Sequence, residues 1–163
     1  MSITHVDLLA ALHYDPETGI WTRLQASPPN RIGARADKSA GHNYRRISVK
    51  GKRYFAHRLA WFYMTGVWPI IDVDHKDTDK QNNKWNNYRL ATRQQNIANK
   101  KRSRVNKSGV KGVYWNKGAK CWTVQVGLNG KSTHVGHFKD LELARLTYNN
   151  KVKELFGEFA RHD

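Results

Sequence analysis

The sequence predicts an α+β protein built of two modules, and three features support this fold class. Segments in which apolar and polar residues alternate, typical of half-buried strands, occur in both halves of the chain. Segments with apolar residues at helical spacing occur in both halves as well. Between them, residues 100–109 are basic, polar and short of apolar side chains, which indicates a linker or, alternatively, a tail of the preceding helix. The modules are therefore predicted at residues 1–99 and 110–163.

The first module is predicted to begin with a short helix over residues 4–12, followed by a Pro/Gly turn that leads into a strand. Residues 25–43 are rich in Gly, Pro, Ala and Ser, and we expect a loop there. Alternation on both sides of Lys50 and Gly51 predicts a hairpin. The helix that follows should end at Gly66.

An extended segment, "WPIIDVDH", then leads into an acidic cluster. The next helix is predicted within "LATRQQNIANKKR", because Thr92 can cap its first turn and Gln95 can reach back to complete a capping box.

The second module is predicted to be a three-stranded antiparallel sheet packed on one helix. Asn129–Gly130 should join two strands in a tight hairpin, since both residues tolerate positive φ. Asp140 should cap the helix and Gly157 should end it. The predicted strands are "VKGVYW", "CWTVQVGL" and "KSTHVGHF".

The charge of the chain favours a nucleic-acid partner. The net charge is +16. Residues 1–100 hold 16 basic and 8 acidic side chains and residues 101–163 hold 13 and 5, so each part carries +8. A positive charge spread over the whole chain, with aromatic and polar residues between the basic ones, suits a long polyanion. The alternative is a merely basic soluble protein; a membrane surface would require a basic amphipathic helix, and none stands out.

Several classes of protein are excluded by composition. No apolar run is long enough to span a membrane, and the N-terminus does not have the pattern of a signal peptide. A single cysteine, Cys121, excludes an internal disulfide and a Cys-rich zinc site. We therefore expect a cytoplasmic protein in a reducing compartment, with no membrane partner.

The stretch from residue 72 to residue 101 gathers acidic and amide side chains in an otherwise basic chain. Asp74 lies at the end of an extended segment and Asn96 on the following helix, so the two can converge. A carboxylate and an amide oxygen suit a hard cation such as Mg²⁺ or Mn²⁺. His75 is then a candidate general base for activating water.

This stretch, "DVDHKDTDKQNNKWNNYRLATRQQNIANKK", resembles the HNH endonucleases of phages and mobile introns, with Tyr88 in place of the usual Leu. The segments "YDPETGIWT" and "HRLAWFYMTGVWP" resemble the same proteins, so the resemblance covers most of residues 12–101. It implies a ββα-metal nuclease module with one divalent ion, held by Asp74 and Asn96. It also implies that His75 is the general base.

The resemblance gives further residues a role. Asn87 would hold the loop over the metal site through hydrogen bonds to the backbone, keeping the base aimed, and Asn83 would be structural. Arg89 and Arg93 are predicted phosphate clamps, with a surface ion pair as the alternative for each. His57 heads a helix and is expected to pack or cap there, the alternative being a contact with the phosphate.

In the second module, alternation places Val124 and Val126 on the helix-facing side of the sheet. We expect Thr133 to face inward too, and Thr123 to lie on the outer face, which could be presented to a DNA groove.

"GVKGVYWNKGAKCWTVQV…THVGHF…LFGEFA" resembles the ethylene-response-factor (Apetala-type) DNA-binding domain over residues 108–160. The resemblance implies DNA contacts by the sheet at six positions, although the plant domains carry several Arg and Trp where this chain has other residues. The linker is expected to follow the phosphate backbone. The predicted contacts are Lys111, Tyr114, Lys117, Gln125, Ser132 and His134 in the sheet module and Lys100, Lys101 and Arg102 in the linker.

These observations together predict a metal-dependent, site-specific DNA endonuclease, homing-like or nicking, that acts on double-stranded DNA. We expect a monomer, with a dimer as the alternative. The rival interpretation is a non-catalytic, sequence-specific DNA-binding regulator whose nuclease module has decayed. An RNA-binding protein would show exposed stacking aromatics on the second sheet.

Overall fold

The structure, a computed structural model, describes residues 3–26, 28–100, 102–103 and 105–161. It is a mixed α/β chain of small antiparallel sheets and helices, which divides into two compact units, Met1–Leu90 and Ala91–Asp163. The boundary between the units lies at residues 90–91 of the sequence, before the predicted linker. Ala91 is fully buried in the core of the second unit. The functional division at residues 99 and 110 stays a prediction.

The first unit opens with a helix and two short sheets. Thr4 and Asp7 form a reciprocal capping box at the first turn of α1, which satisfies its unpaired backbone donors. Lys50 and Gly51 both have positive φ in the predicted hairpin between β4 and β5. The elements are α1 His5–Ala11, paired strands β1 Leu12–Tyr14 and β2 Trp21–Arg23, and a three-stranded sheet of β3 Asp37–Ser39, β4 Arg45–Val49 and β5 Lys52–Phe55.

The strand β3 corrects the prediction of a loop over residues 25–43. Its sequence has no apolar alternation, because the residue it buries is Asp37. Two guanidinium groups compensate this carboxylate: Arg35 donates at 3.0 Å, and Arg45 donates to it from the neighbouring strand. A buried ion pair of this kind leaves no hydrophobic signal in the sequence.

The remaining elements of the first unit bring the acidic cluster to the end of a strand. Helix α2 begins at Ala56 and ends at Gly66, whose φ of 72° closes the helix in the left-handed conformation, as predicted. Leu59 and Trp21 are among the fully buried side chains of the core on which it packs. The elements are α2 Ala56–Thr65 and the two-stranded sheet of β6 Asp72–His75 and β7 Tyr88–Ala91.

The second unit is a three-stranded antiparallel sheet in the order β10-β9-β8, with helix α4 packed against it. The predicted Asn129–Gly130 hairpin is present, with positive φ at both residues. Asp140 accepts a hydrogen bond from the Leu143 backbone and so caps α4, as predicted. The elements are α3 Arg93–Ala98, β8 Val113–Asn116, β9 Cys121–Leu128, β10 Lys131–Phe138 and α4 Leu141–Phe156.

Two threonines lie on the predicted faces of this sheet but differ in burial from what those faces suggest. Thr133 pairs with Val126 and so shares the helix-facing side, as predicted, but it is exposed on the edge strand β10. Thr123 points away from α4, as predicted, but it is fully buried. A register shift between His134 and Gly136 adds one residue to β10, and His137 then lies opposite Thr123, with its Nδ1 atom 3.1 Å from the hydroxyl. The alternation of apolar and polar residues does not predict this bulge, because the pattern does not show an extra, unpaired residue.

The capping box of α3 is confirmed, with Thr92 and Gln95 bonding reciprocally, but the helix ends at Ala98, earlier than the predicted segment. Cys121, the first residue of β9, is buried. Across the described residues, no helix has the length and apolar character needed to cross a membrane.

Candidate active site

The loop between β6 and β7 is closed by the amide of Asn87. Its Nδ2 donates to the Asn82 carbonyl at 2.8 Å and to Asp77 Oδ1 at 2.9 Å. Its Oδ1 accepts from the Asp77 backbone N–H at 3.2 Å. The backbone carbonyl of Asn87 also accepts from Lys76, the residue after β6, at 2.9 Å. The Asn87 side chain therefore holds the loop at Asp77 and Asn82, and its backbone joins the loop to the end of β6. Its role in aiming a base stays a prediction.

Asp77 and Asp79 shape this loop through hydrogen bonds. Asp77 accepts from the Asp79 backbone at 2.8 Å and from Asn82 Nδ2 at 2.6 Å. Asp79 accepts from the Gln81 backbone at 2.9 Å. Partial burial opposes ionisation of Asp77, but the hydrogen bonds from Asn82 and Asn87 outweigh it and hold the pKa of this carboxyl below its ordinary value.

Asn83 connects the loop to the core of the first unit. Its Oδ1 accepts from the Tyr88 hydroxyl at 2.8 Å, and its backbone carbonyl accepts from the buried Tyr14 hydroxyl at 2.7 Å. Gly19 packs directly on its backbone, so closely that a Cβ at that position would lie 2.7 Å from Lys84 N and nearer still to Asn83. Asn83 is therefore positioned by contacts from β1, from β7 and from Gly19 in the turn between β1 and β2.

His75 ends β6 and is enclosed by aromatic rings. Its ring centroid lies 5.2 Å from that of His57, 5.3 Å from Tyr88 and 6.2 Å from Tyr44. The residue is only 4% exposed. Burial lowers its pKa, and a hydrogen bond with Asn83 and the nearby carboxylates of Asp77 and Asp74 oppose that effect only in part. The imidazole is thus neutral at pH 7, the state a general base requires, but water or substrate must reach a buried ring.

Asp74 lies beside His75 on β6 and is buried as well. Arg89 Nε donates to Asp74 Oδ2 at 3.2 Å, and both side chains are largely shielded from solvent. Of the two roles predicted for Arg89, the structure contains the ion pair, in a buried rather than a surface setting. A phosphate contact by Arg89 stays a prediction.

The two predicted metal ligands have the oxygen chemistry that a hard cation prefers, since Asp74 offers a carboxylate oxygen and Asn96 an amide oxygen. No cluster of three or more His, Cys, Asp or Glu side chains suited to a metal occurs within the described ranges. Asp74 belongs to the first unit and Asn96, on α3, to the second. Their sharing of one ion stays a prediction.

Sequence reasoning missed the aromatic and polar groups that surround this site. The centroid of the Tyr44 ring lies 5.2 Å from that of His57, and the Lys80 ammonium lies 4.3 Å from the Tyr44 centroid. Arg45 Nη1 donates to Gln81 Oε1 at 3.1 Å, and Gln81 Nε2 donates to the Asn43 carbonyl. These bonds connect the loop to the three-stranded sheet. Only tertiary contact brings these groups to the loop, so no local pattern could have identified them.

His57 packs within the aromatic cluster, in line with the packing role preferred for it. It is 7% exposed, and burial, followed by the neighbouring His75, lowers its pKa to about 3. It is therefore neutral across the physiological range.

In the second unit, the strand register brings four of the predicted DNA contacts to one side of the sheet. Tyr114 lies opposite Thr123, and His134 lies opposite Gln125, so these residues share a face. Ser132 donates to Gln125 Oε1 at 2.7 Å across the same face. The face is polar and partly exposed, which is compatible with the predicted contacts to DNA.

The other predicted DNA contacts lie in different settings. The Lys111 ammonium donates to the backbone carbonyls of Ala98 at 2.6 Å and Lys100 at 2.8 Å, and thereby caps the end of α3. This local role accounts for Lys111 without DNA, and its contact with DNA stays a prediction. Lys101 lies outside the described residues. The side chains of Arg93, Lys100, Arg102 and Lys117 are exposed.

Comparisons with known proteins agree with this position of the site. Residues 54–98 match a family model described as HNH endonuclease. A mimivirus protein (Acanthamoeba polyphaga mimivirus), named as an uncharacterized HNH endonuclease, is 42% identical over 90 residues, which cover 55% of this chain and 46% of that protein. Protein 3.8 of Escherichia phage T7 is 35% identical over 89 residues, which cover 55% of this chain and 73% of that protein.

The chain therefore spans about half the length of the mimivirus relative and about three quarters of the phage protein. No solved structure matches it. These findings assign an HNH endonuclease domain to residues 54–98 and give no support to an ethylene-response-factor domain at residues 108–160.

Proposed function

We propose, because the chain belongs to the HNH endonuclease family, that it is a divalent-metal-dependent endonuclease that hydrolyses phosphodiester bonds in double-stranded DNA. Asp74 and Asn96 would hold one Mg²⁺ or Mn²⁺ ion. The ion, when bound, would stabilise negative charge on the phosphate and on the leaving 3′ oxygen. His75 would accept the proton of the attacking water, and the amide of Asn87 would keep the loop that follows His75 in place.

The observation that carries this proposal is the position of Asp74 and His75 at the end of β6, beside the loop clamped by Asn87, inside the matched region. A carboxylate next to an imidazole that burial keeps neutral supplies a metal ligand and a base from one strand. The net charge of +16 supports a polyanionic substrate. One such site in a monomer would produce a nick.

The second unit would choose the site of cutting. Its exposed polar sheet face, with Tyr114, Gln125, Ser132 and His134, offers groups that can read base edges in a groove. The proposed division is a nuclease module at residues 1–99, a linker at residues 100–109 that follows the backbone, and a DNA-docking module at residues 110–163. The docking module would be of the ethylene-response-factor type, which the resemblance over residues 108–160 supports.

The experiment is a supercoiled-plasmid assay with Mg²⁺, with Mn²⁺ and with EDTA. His75→Ala should bind DNA normally but nick about 100-fold more slowly or worse, the usual scale for loss of a general base. His13→Ala, at an exposed position on β1, is the matched control and should cut at the normal rate. Nicking that is equally fast in EDTA, or undiminished in His75→Ala, contradicts the proposal.

One observation favours a second candidate, a DNA-binding regulator without activity. Asp74 is bonded to Arg89 and His75 is buried, so both groups must change their surroundings before chemistry. Sequence-selective binding with no cleavage in any divalent metal would identify this regulator.

A further inference from the structure

A cavity of about 350 Å³ opens beside the edge strand β8 of the second unit. The indoles of Trp115 and Trp122 form part of its wall, together with Tyr114. The segment that includes Lys107 and Ser108 closes the opposite side, held there by a hydrogen bond from the Ser108 hydroxyl to the Val113 carbonyl at 2.6 Å. The cavity thus lies entirely within the second unit and is large enough for a small organic group.

The two indoles lie on a different side of the sheet from the polar face described above. Trp115 lies opposite Trp122, two residues beyond the buried pair Val113 and Val124. Because side chains alternate along a strand, the indoles share the core-facing side of the sheet. They extend it past the buried core, and Trp115 remains 45% exposed. The predicted DNA contacts Gln125 and His134 project from the other side, while Tyr114 and Lys117, two further predicted DNA contacts, belong to the residues that line the cavity.

Flat aromatic surface remains accessible in this cavity. Trp115 and Trp122 are 5.1 Å apart with their planes at 67°, an edge-to-face arrangement. In such a pair one ring contributes only its edge, so its two faces are not covered by the other ring. Half-exposed aromatic rings at a concave site offer stacking surface to a flat partner.

The charge around the cavity indicates which class of flat ligand it would bind. Lys107 and Lys117 line it and are exposed, and none of the described lining residues is acidic. Aromatic platforms beside flexible cationic side chains are the combination that binds single-stranded nucleic acid, in which bases stack and the backbone meets positive charge. A duplex would present only its outer edges, because its bases are already stacked.

We propose that this cavity binds an unpaired base of single-stranded DNA, stacked on the indole pair of Trp115 and Trp122, with Lys107 and Lys117 contacting the flanking phosphates. DNA is favoured over RNA because the chain carries a nuclease domain of the HNH family. The inference rests on the proposed function only for this choice. It adds a single-strand site to the docking module, suited to a strand end or to bases opened near a nick.

The test measures binding of a fluorescently labelled oligothymidylate to the full chain in EDTA, where no metal-dependent cutting can occur. Trp115→Ala should weaken binding about fivefold or more, since a base stacked on one aromatic ring contributes at least that much. Trp115→Phe, which keeps a stacking face and guards against a folding defect, should restore most of the affinity. Leu146→Ala, at an exposed position on α4, should bind as the unchanged chain does.

Three results would overturn the inference: equal binding by Trp115→Ala and Leu146→Ala, equal competition by a blunt duplex of the same length, or clearly tighter binding of oligouridylate, which would assign the cavity to RNA. Binding in EDTA does not depend on catalysis. A chain that binds oligothymidylate through Trp115 but never nicks plasmid refutes the proposed nuclease and leaves the cavity assignment intact; the reverse outcome refutes only the cavity.

Discussion

Replacing Asn87 with alanine should destabilise the first unit and disable the site together. The change removes two hydrogen bonds donated by Asn87 Nδ2, to Asn82 and to the Asp77 carboxylate, and one accepted from the Asp77 backbone. A neutral hydrogen bond contributes about 1 kcal/mol net and one to a charged group about 1.5–3 kcal/mol, so losing two of the first kind and one of the second should cost about 3.5–5 kcal/mol. Urea denaturation of the full chain, monitored by tryptophan fluorescence, measures this loss in the free energy of unfolding.

Asn86→Ala is the matched control, because this adjacent asparagine is exposed and its contribution to the loop is its backbone carbonyl, which accepts from Lys76 Nζ. That variant should lose less than about 0.5 kcal/mol, the usual range for exposed positions. Equal unfolding midpoints for Asn87→Ala and Asn86→Ala would refute the clamp.

The loss in Asn87→Ala should also depend on pH. The pKa of Asp77 is depressed in the folded chain, so its contribution to stability is complete above the ordinary carboxyl pKa and disappears as pH falls through the folded value. Without the Asn87 donor, the Asp77 pKa should rise toward its ordinary value. The stability difference between the unchanged chain and the variant should therefore shrink below about pH 4. A carboxyl titration by NMR that shows the same Asp77 pKa in both proteins would contradict this assignment.

Two further predictions concern the surroundings of the site. His57 has a pKa of about 3 when folded and about 6.5 when unfolded, so the unfolded chain binds the extra proton between these values and stability falls with acidification. From pH 7.5 to pH 5.5 this loss should be about 1.4 kcal/mol, and urea denaturation should show it removed in His57→Gln but retained in His13→Gln. Gly19→Ala should lower the melting temperature well beyond Gly33→Ala, because both glycines have positive φ but only Gly19 abuts the Asn83 backbone; similar shifts for both would show that the contact can relax.

The sequence predicted the parts of the fold that carry local signals. The Lys50–Gly51 and Asn129–Gly130 turns, the capping box at Thr92 and the end of α2 at Gly66 all depend on a few adjacent residues, and all are present. Strand β3 escaped prediction because the residue it buries is a carboxylate, compensated by Arg35 just before the strand and by Arg45 on the neighbouring strand, and such a pairing gives no apolar alternation. The bulge in β10 escaped because alternation does not register one extra residue.

The chemistry of the site follows the same division. A motif in the sequence names Asp74, His75 and Asn87, because their types and spacing are local, but it says nothing of the tyrosine and histidine rings around the imidazole. Those rings make His75 neutral by excluding water, and by the same exclusion they separate it from the water it would activate. A buried base of this kind can act only if bound DNA displaces some of its neighbours, among which Tyr44, half-buried and facing Lys80, is the least enclosed. If His75 is the base, as proposed, the motif identifies the group that would take the proton, and the surrounding rings would control when water can reach it.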